Sequence, residues 1–242
     1  MGTKHNKQKK KDKIKLYMVS LGPGDHELVS IKALKALQNS GAICIPTKSH
    51  DHSFNRSITH RIISQLMDEY GFSKPIIPVY TPMNFKQKDW QYQVDIIQEG
   101  IIKYGSVSFV TLGDSAIYST VYYLLDIIQK QDKKLFKKSE VIAGITSFSY
   151  ASSQAKKPLC LGDTAFKIVP LLGKKVPSTT VYMRPKIGME TDSIKEKGEI
   201  HTFENLNMLG ETITKGKVPK VQKYMTLFVD FINWKNIKQG TR

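Results

Sequence analysis

Cysteine is scarce in this chain: of 242 residues only Cys44 and Cys160 carry a thiol, and they form no CxxC pair. That spacing excludes a thiolate zinc site or a disulfide-built miniprotein, and two cysteines within apolar stretches indicate a reduced, cytosolic setting. Long hydrophobic runs are missing as well, so no segment reaches the roughly 20 apolar residues needed to cross a bilayer. The lysine-rich start leads straight into a strand-like segment without an apolar signal core, so secretion is not indicated. GxGxxG, GxxxxGK[ST] and GxSxG are all absent. Dinucleotide binding on a Rossmann turn, P-loop phosphate chemistry and the nucleophile elbow of an α/β-hydrolase lose their sequence support. Acidic residues are also few, 21 against 37 lysines and arginines, for a formal net charge of +16.

Six of those charges lie in the first fifteen residues, where seven lysines face only Asp12. The tail, residues 1–15, reads as a solvated arm. The remaining +10 on the body calls for a polyanionic partner: nucleic acid, an anionic surface or a small molecule with many carboxylates.

Along the body, strand and helix patterns alternate. Leu16 to Leu21 reads as a buried strand closed by Gly22-Pro23-Gly24-Asp25, a turn suited to glycine and proline. A helix capped by Ser30 should follow, with Ile31, Leu34 and Leu37 on its apolar face, then a strand from Ala42 to Ile45. Ile58, Ile62, Ile63 and Leu66 predict a second helix, and Trp90, Val94, Ile97 and Ile101 a third. Strands are expected near Ile76 to Val79 and Val107 to Leu112, and Tyr118, Tyr122, Leu125 and Ile128 mark a further helix. The charged run from Lys130 to Lys138 suggests a linker. Domains are therefore expected at 16–130 and 139–242, joined by 131–138. In the second, Glu140 to Ala143, Phe166 to Val169, Thr180 to Met183 and Tyr224 to Ile232 read as strands, with a small-residue helix reaching Lys156. Residues 190–220 are polar and weakly periodic.

Three small-residue loops each follow a strand and precede a helix: GPGD at 22–25, GDS at 113–115 and GITS at 144–147. In open α/β sheets ligands bind beyond the carboxyl ends of strands, where exposed amides and helix N-termini meet. Each loop alone is an ordinary turn; their joint order suggests one cleft. The His50-Asp51-His52 cluster, with no third ligand in view, reads as a solvated loop, and no metal is expected. Tyr118, Tyr122 and Tyr123 could wall a cleft or stack on a flat ligand, Tyr118 above all.

The runs LYMVSLGPGDHELVSIKAL at 16–34, VSFVTLGDSAIYSTVYYLL at 107–125 and EVIAGITSF at 140–148 resemble the tetrapyrrole methylase family. Pro82-Met83, Trp90, Tyr118-Ser119-Thr120 and Thr146-Ser147-Phe148 are more narrowly similar to the branch that methylates precorrin-2 at C20 in cobalamin synthesis. The resemblance covers Leu16 to about Met183 and returns at the final strand. It departs from the family at Ser115 and Ala143, where proline is usual, and over 190–220. It implies a two-lobed α/β fold distinct from Rossmann methyltransferases, with S-adenosyl-L-methionine in the cleft between the lobes. It further implies a cytoplasmic homodimer with a tetrapyrrole substrate, precorrin-2 or cobalt-factor II, and no membrane partner. By that resemblance Pro23, Gly113, Asp114, Ser115, Tyr118, Thr146, Ser147 and Met183 line the cofactor pocket. Gly22 and Gly24 face the substrate, and Asp25 is the candidate general base or, equally, a helix cap. Arg56 and Arg184, with Lys48 and Arg61, are candidate contacts for the substrate's eight carboxylates. Competing readings are another tetrapyrrole methylase, acting on a different ring carbon or on ribosomal RNA, a non-catalytic tetrapyrrole-binding protein, and a nucleic-acid-binding module. The last is disfavoured because no RNA-recognition aromatic motif is present.

Overall fold

The computed structural model describes residues 14–55, 57–82, 86–161, 164–168, 178–183, 185–195, 197–205 and 209–232. These fall into two compact units that part between Phe166 and Lys167. The first is built on a parallel five-stranded sheet in the order β3-β2-β4-β1-β5. Its strands are β1 (Lys15–Ser20), β2 (Ala42–Thr47), β3 (Ile76–Tyr80), β4 (Ser106–Thr111) and β5 (Ser139–Ile142). The helices are α1 (Ile31–Asn39), α2 (Ile58–Glu69), α3 (Gln87–Tyr104), α4 (Val121–Gln131), α5 (Lys133–Lys137) and α6 (Ser147–Ala155).

Alternation along each strand divides the core between the two sheet faces, as the two-residue repeat of extended backbone requires. Leu16, Met18, Ala42, Cys44, Val107 and Phe109 pack with Val94, Ile97 and Ile101 of α3 and Val121, Leu124, Leu125 and Ile128 of α4. Val19, Ile43, Ile45 and Val110 pack on the opposite side with Ala33, Ala36 and Leu37 of α1 and Ile62, Ile63 and Leu66 of α2. Thus β1 and its neighbour β4 send their following helices to opposite faces. A crevice opens beyond the carboxyl ends of adjacent strands at such a switch point.

Several expectations shift. The turn after β1 winds into a 3-10 turn, His26–Leu28, before α1 begins; Ser30 does cap α1, its hydroxyl accepting from Ala33 N–H at 3.2 Å. Ile31 is 72% exposed, and Ala33 and Ala36 occupy the inward positions with Leu37. Tyr118 precedes α4 instead of belonging to it. The expected linker 131–138 holds α5, capped by the Asp132 carboxylate, and the chain then returns as β5 beside β1. Because that strand completes the first sheet, the units part some thirty residues later than the charge run suggested. Among the described residues 164–168 there is no strand.

The second unit carries an antiparallel sheet in the order β6-β9-β7-β8, from β6 (Thr180–Tyr182), β7 (Glu199–Glu204), β8 (Thr212–Lys215) and β9 (Thr226–Phe231). Ile194, Ile200, Val221 and Phe228 form its small core. The segment that read as irregular therefore supplies two strands. Among the described residues no helix is long and apolar enough to cross a membrane.

Candidate functional site

The three loops leave adjacent strands: GPGD follows β1, GDS follows β4 on one side of it, and GITS follows β5 on the other. Backbone contacts join them. Gly22 and Gly113 exchange both peptide hydrogen bonds, at 3.1 and 2.7 Å, as an antiparallel bridge beyond the parallel ladder. Both sit at positive φ, 72° and 73°, which glycine adopts without a Cβ penalty. The third loop fits only because Gly144 also lacks a side chain: a Cβ there would lie 2.6 Å from Ser20 Cβ and 2.7 Å from the Gly113 carbonyl.

Asp114 fastens the assembly. Its Oδ2 accepts from Gly144 N–H at 2.7 Å and its Oδ1 from Ala116 N–H at 2.8 Å, tying the second loop to the third. Beneath them Ser20, fully buried at the end of β1, accepts from Ser115 N–H at 2.9 Å. Proline has no N–H to give, so serine at 115 makes a bond that proline at this position would forfeit. Sequence reasoning overlooked Ser20, although a serine ending an apolar strand just before a turn was a visible signal.

Beyond this junction Tyr118 stands 71% exposed with φ at 50°, a left-handed conformation a bulky residue holds only where its surroundings impose it. Tyr122 is half-exposed, and its hydroxyl pKa is raised by partial burial and, secondarily, by the Asp114 charge. Tyr123 turns the other way and stacks on Trp90 with ring centroids 4.1 Å apart, a packing role. Thr146 caps α6, its hydroxyl accepting from Ser149 N–H, and Ser147 opens that helix.

On the other side of GPGD lies an open pocket of about 490 Å³, lined by Pro23, Gly24, Asp25, His26, Ile58, Arg61, Gln65 and Tyr150. Asp25 caps the 3-10 turn through Glu27 N–H at 3.0 Å, so the capping half of its expectation is realised. His26 lies between two carboxylates, 2.8 Å from Glu69 and 3.5 Å from Asp25. Lys48 is exposed; Arg56 and Arg184, like Met83, lie outside the described residues.

The His50-Asp51-His52 stretch is a hydrogen-bonded loop. The Ser49 hydroxyl and then Ser53 N–H hold the Asp51 carboxyl down to about 2, and His50 meets the Tyr80 hydroxyl at 2.8 Å. Among the described residues no group of three or more histidines, cysteines and carboxylates could hold a metal. Cys44 is buried in β2, which pushes its thiol up to about 12, whereas Cys160 is exposed. In the second unit Met183 is 70% exposed beside a pocket of about 630 Å³.

A family model described as Tetrapyrrole (Corrin/Porphyrin) Methylases matches residues 15–221, most of the chain and all three loops. The chain belongs to the tetrapyrrole methylase family. Among its relatives, the Probable cobalt-precorrin-2 C(20)-methyltransferase of Methanocaldococcus jannaschii is 26% identical over 183 residues, covering 76% of this chain and 75% of that protein. The cobalt-precorrin-2 C(20)-methyltransferase of Salmonella typhimurium is 24% identical over 64% of this chain and 62% of its own length. The crystal structure of a cobalamin synthesis related protein, CobF, from Corynebacterium diphtheriae aligns over 89% of this chain and 97% of that one, at a TM-score of 0.50 and 14% identity. That likeness speaks to the fold alone, and it agrees with the expected α/β tetrapyrrole methylase architecture. Tetrapyrrole methylases use S-adenosylmethionine as methyl donor, the cofactor that the resemblance implied.

The junction suits such a ligand. Gly113 has open space where a Cβ would point, with nothing within 4 Å, so a ligand can approach its backbone. Five residues on, Tyr118 offers an exposed aromatic face. Adenosine needs flat apolar surface and room to lie close to the chain, and these two residues offer both.

Proposed function

We propose that this tetrapyrrole methylase is an S-adenosylmethionine-dependent C-methyltransferase acting at C20 of precorrin-2 or cobalt-factor II in cobalamin biosynthesis. The observation that carries methyl transfer is the fused junction of Gly22, Gly113 and Gly144 at the carboxyl ends of three adjacent strands. The choice of C20 is supported by the Tyr118-Ser119-Thr120 motif and by the names of the relatives from Methanocaldococcus, Salmonella and Sinorhizobium. A cobalt-precorrin-4 C(11)-methyltransferase from Priestia megaterium matches at 25% identity, so the carbon has to be measured.

When bound, S-adenosylmethionine supplies an electrophilic methyl on a sulfonium, and a reduced tetrapyrrole is itself a carbon nucleophile. The protein then needs no nucleophilic side chain. Its task is alignment and water exclusion, and good orientation is worth effective molarities of roughly 10⁵ M or more. In this reading Pro23, Gly113, Ser115, Tyr118, Thr146 and Ser147 of the first unit hold the cofactor, and Asp114 keeps two of its loops in register. Gly22 and Gly24, as residues of the turn on the substrate side, let the macrocycle come close to the chain, and Asp25 accepts the proton lost after methylation. Arg56 and Arg184 are proposed carboxylate contacts. A homodimer belongs to the same proposal and is read by sedimentation equilibrium.

Calorimetric titration with S-adenosylhomocysteine, then a methyl-transfer assay on precorrin-2 with and without cobalt, tests the reading. Binding followed by a C20-methylated product is the expected result, and the preferred metal state names the substrate. Methylation of another carbon would replace the C20 assignment. Cofactor binding without turnover would make this a non-catalytic member, and no binding would overturn the site.

A further inference from the structure

Of the four cations expected to meet the substrate's carboxylates, Arg61 lines the pocket beside GPGD. Ile58, Arg61 and Gln65 follow one another at three- and four-residue spacing on α2, so they share a face, and all three line the cavity. The adjoining face, with Thr59, Ile62, Ile63 and Leu66, is buried in the core. The helix is thereby locked in rotation, and Arg61 is delivered to the pocket by the packing of its neighbours. Its Nη2 donates to the Gly24 carbonyl at 3.3 Å, which anchors one end of the guanidinium on the substrate-side turn. Among the described residues no carboxylate pairs with it, and Asp25 and Glu69 flank His26 instead. A guanidinium has five N–H donors in a planar fork matched to a carboxylate, and one contact at Gly24 leaves most of that fork directed to the cavity.

We infer that Arg61 is a carboxylate-anchoring residue of the substrate pocket, with Gln65 and Tyr150 as neutral hydrogen-bonding groups around the same substrate arm. The inference rests on the tetrapyrrole reading, and it adds the element that sets the ring's orientation. A flat macrocycle with acidic side arms can enter an open pocket in several rotations that place different carbons toward the methyl donor. A single fork on α2 favours rotations that put an acidic arm on Arg61. Arg61 is thus a specificity-determining residue that acts on binding and on regiochemistry.

The test uses the full chain and two ligands. Binding of uroporphyrin III, an octacarboxylate, is followed by fluorescence quenching, and S-adenosylhomocysteine binding by calorimetry, in wild type, Arg61→Gln and Arg61→Lys. The expected result is a tenfold or greater loss of uroporphyrin affinity in Arg61→Gln, a smaller loss in Arg61→Lys, which keeps charge without the fork, and unchanged S-adenosylhomocysteine affinity in both. With precorrin-2 the same variants should raise KM more than they lower kcat and yield products methylated at more than one position. Wild-type uroporphyrin affinity in Arg61→Gln, with cofactor binding intact, would overturn the inference and leave the proposed function standing. Failure of the wild type to bind any tetrapyrrole while binding S-adenosylhomocysteine would overturn both the inference and the substrate assignment. Failure to bind S-adenosylhomocysteine would remove the proposed function itself.

Discussion

Asp114 carries more of the site than its place in a Gly-Asp turn implies. A Gly-Asp pair usually needs its carboxylate only for the local turn, and the bond to Ala116 N–H is of that kind. The bond to Gly144 N–H spans thirty residues and decides where the third loop sits. Asp114→Ala removes both acceptors and leaves a part-buried N–H unpaired, a change that costs about 1–3 kcal/mol. Urea unfolding should show that loss together with weaker S-adenosylhomocysteine binding, and Asp114→Asn, which keeps one good acceptor, should recover part of each. A fall in cofactor affinity at unchanged stability would mean that the carboxylate touches the cofactor directly instead of holding the loops. The family resemblance pointed to Asp114, yet its partner was not legible, because the contact exists only once β4 and β5 flank β1.

At the scale of elements, burial and charge make separable predictions. Leu37 of α1 is fully buried whereas Ile31 is 72% exposed. Leu37→Ala should lower stability by about 2–5 kcal/mol. Ile31→Lys should stay within about 0.5 kcal/mol of wild type, as for other surface positions. Equal effects would refute the rotation of α1 on the sheet. The pattern i, i+3, i+6 in the sequence had drawn Ile31 inward, but alanines at 33 and 36 let the helix sit close to β1 and take its place. Charge joins the same elements: Glu140 of β5 meets Lys15 of β1 at 2.8 Å and Lys32 of α1 at 2.9 Å. Hydrogen bonds from those two lysines hold the Glu140 carboxyl below its ordinary 4.5. Its folded value is therefore the lower one, so the stabilisation is complete above pH 4.5 and fades as pH falls through the folded value. For a pair this exposed the contribution is about 0.5 kcal/mol. Glu140→Gln should accordingly narrow its stability gap from wild type as pH drops from 6 to 3, and a gap independent of pH would refute the pairing. Of the parallel strands, β1, β2 and β3 were readable because each is mainly apolar, and β4 because Val107, Phe109 and Val110 follow a glycine and precede a Gly-Asp turn. In β7 the inward positions are Ile200, Thr202 and Glu204, and two polar residues in a core register erase the alternation that marks a strand. Those polar groups are satisfied inside the sheet, Thr202 donating to the Gly216 carbonyl and Glu204 accepting from the Thr212 hydroxyl. No property of the local sequence announces that pairing.

For the molecule as a whole, charge is the variable that separates the two ligands. The chain carries a formal +16, and the substrate class proposed for it carries eight carboxylates, whereas S-adenosylhomocysteine is a zwitterion with no net charge near neutrality. Attraction between a basic protein and a polyanion is screened by salt, the Debye length shrinking from about 14 Å at 0.05 M to about 4 Å at 0.5 M. Across that range the affinity for uroporphyrin III should fall roughly tenfold or more through loss of long-range attraction. Cofactor affinity should change less than about twofold, since a ligand without net charge gains little from that field. The contact at Arg61 is short-range and survives salt better, so the gap between wild type and Arg61→Gln should persist at 0.5 M while both curves move to weaker binding. If uroporphyrin binding proved insensitive to salt, the positive charge would have another purpose. A duplex RNA titration with a steep salt slope would then direct attention to nucleic acid, and parallel loss of both ligands with salt would mean that ionic strength perturbs the fold instead of the encounter.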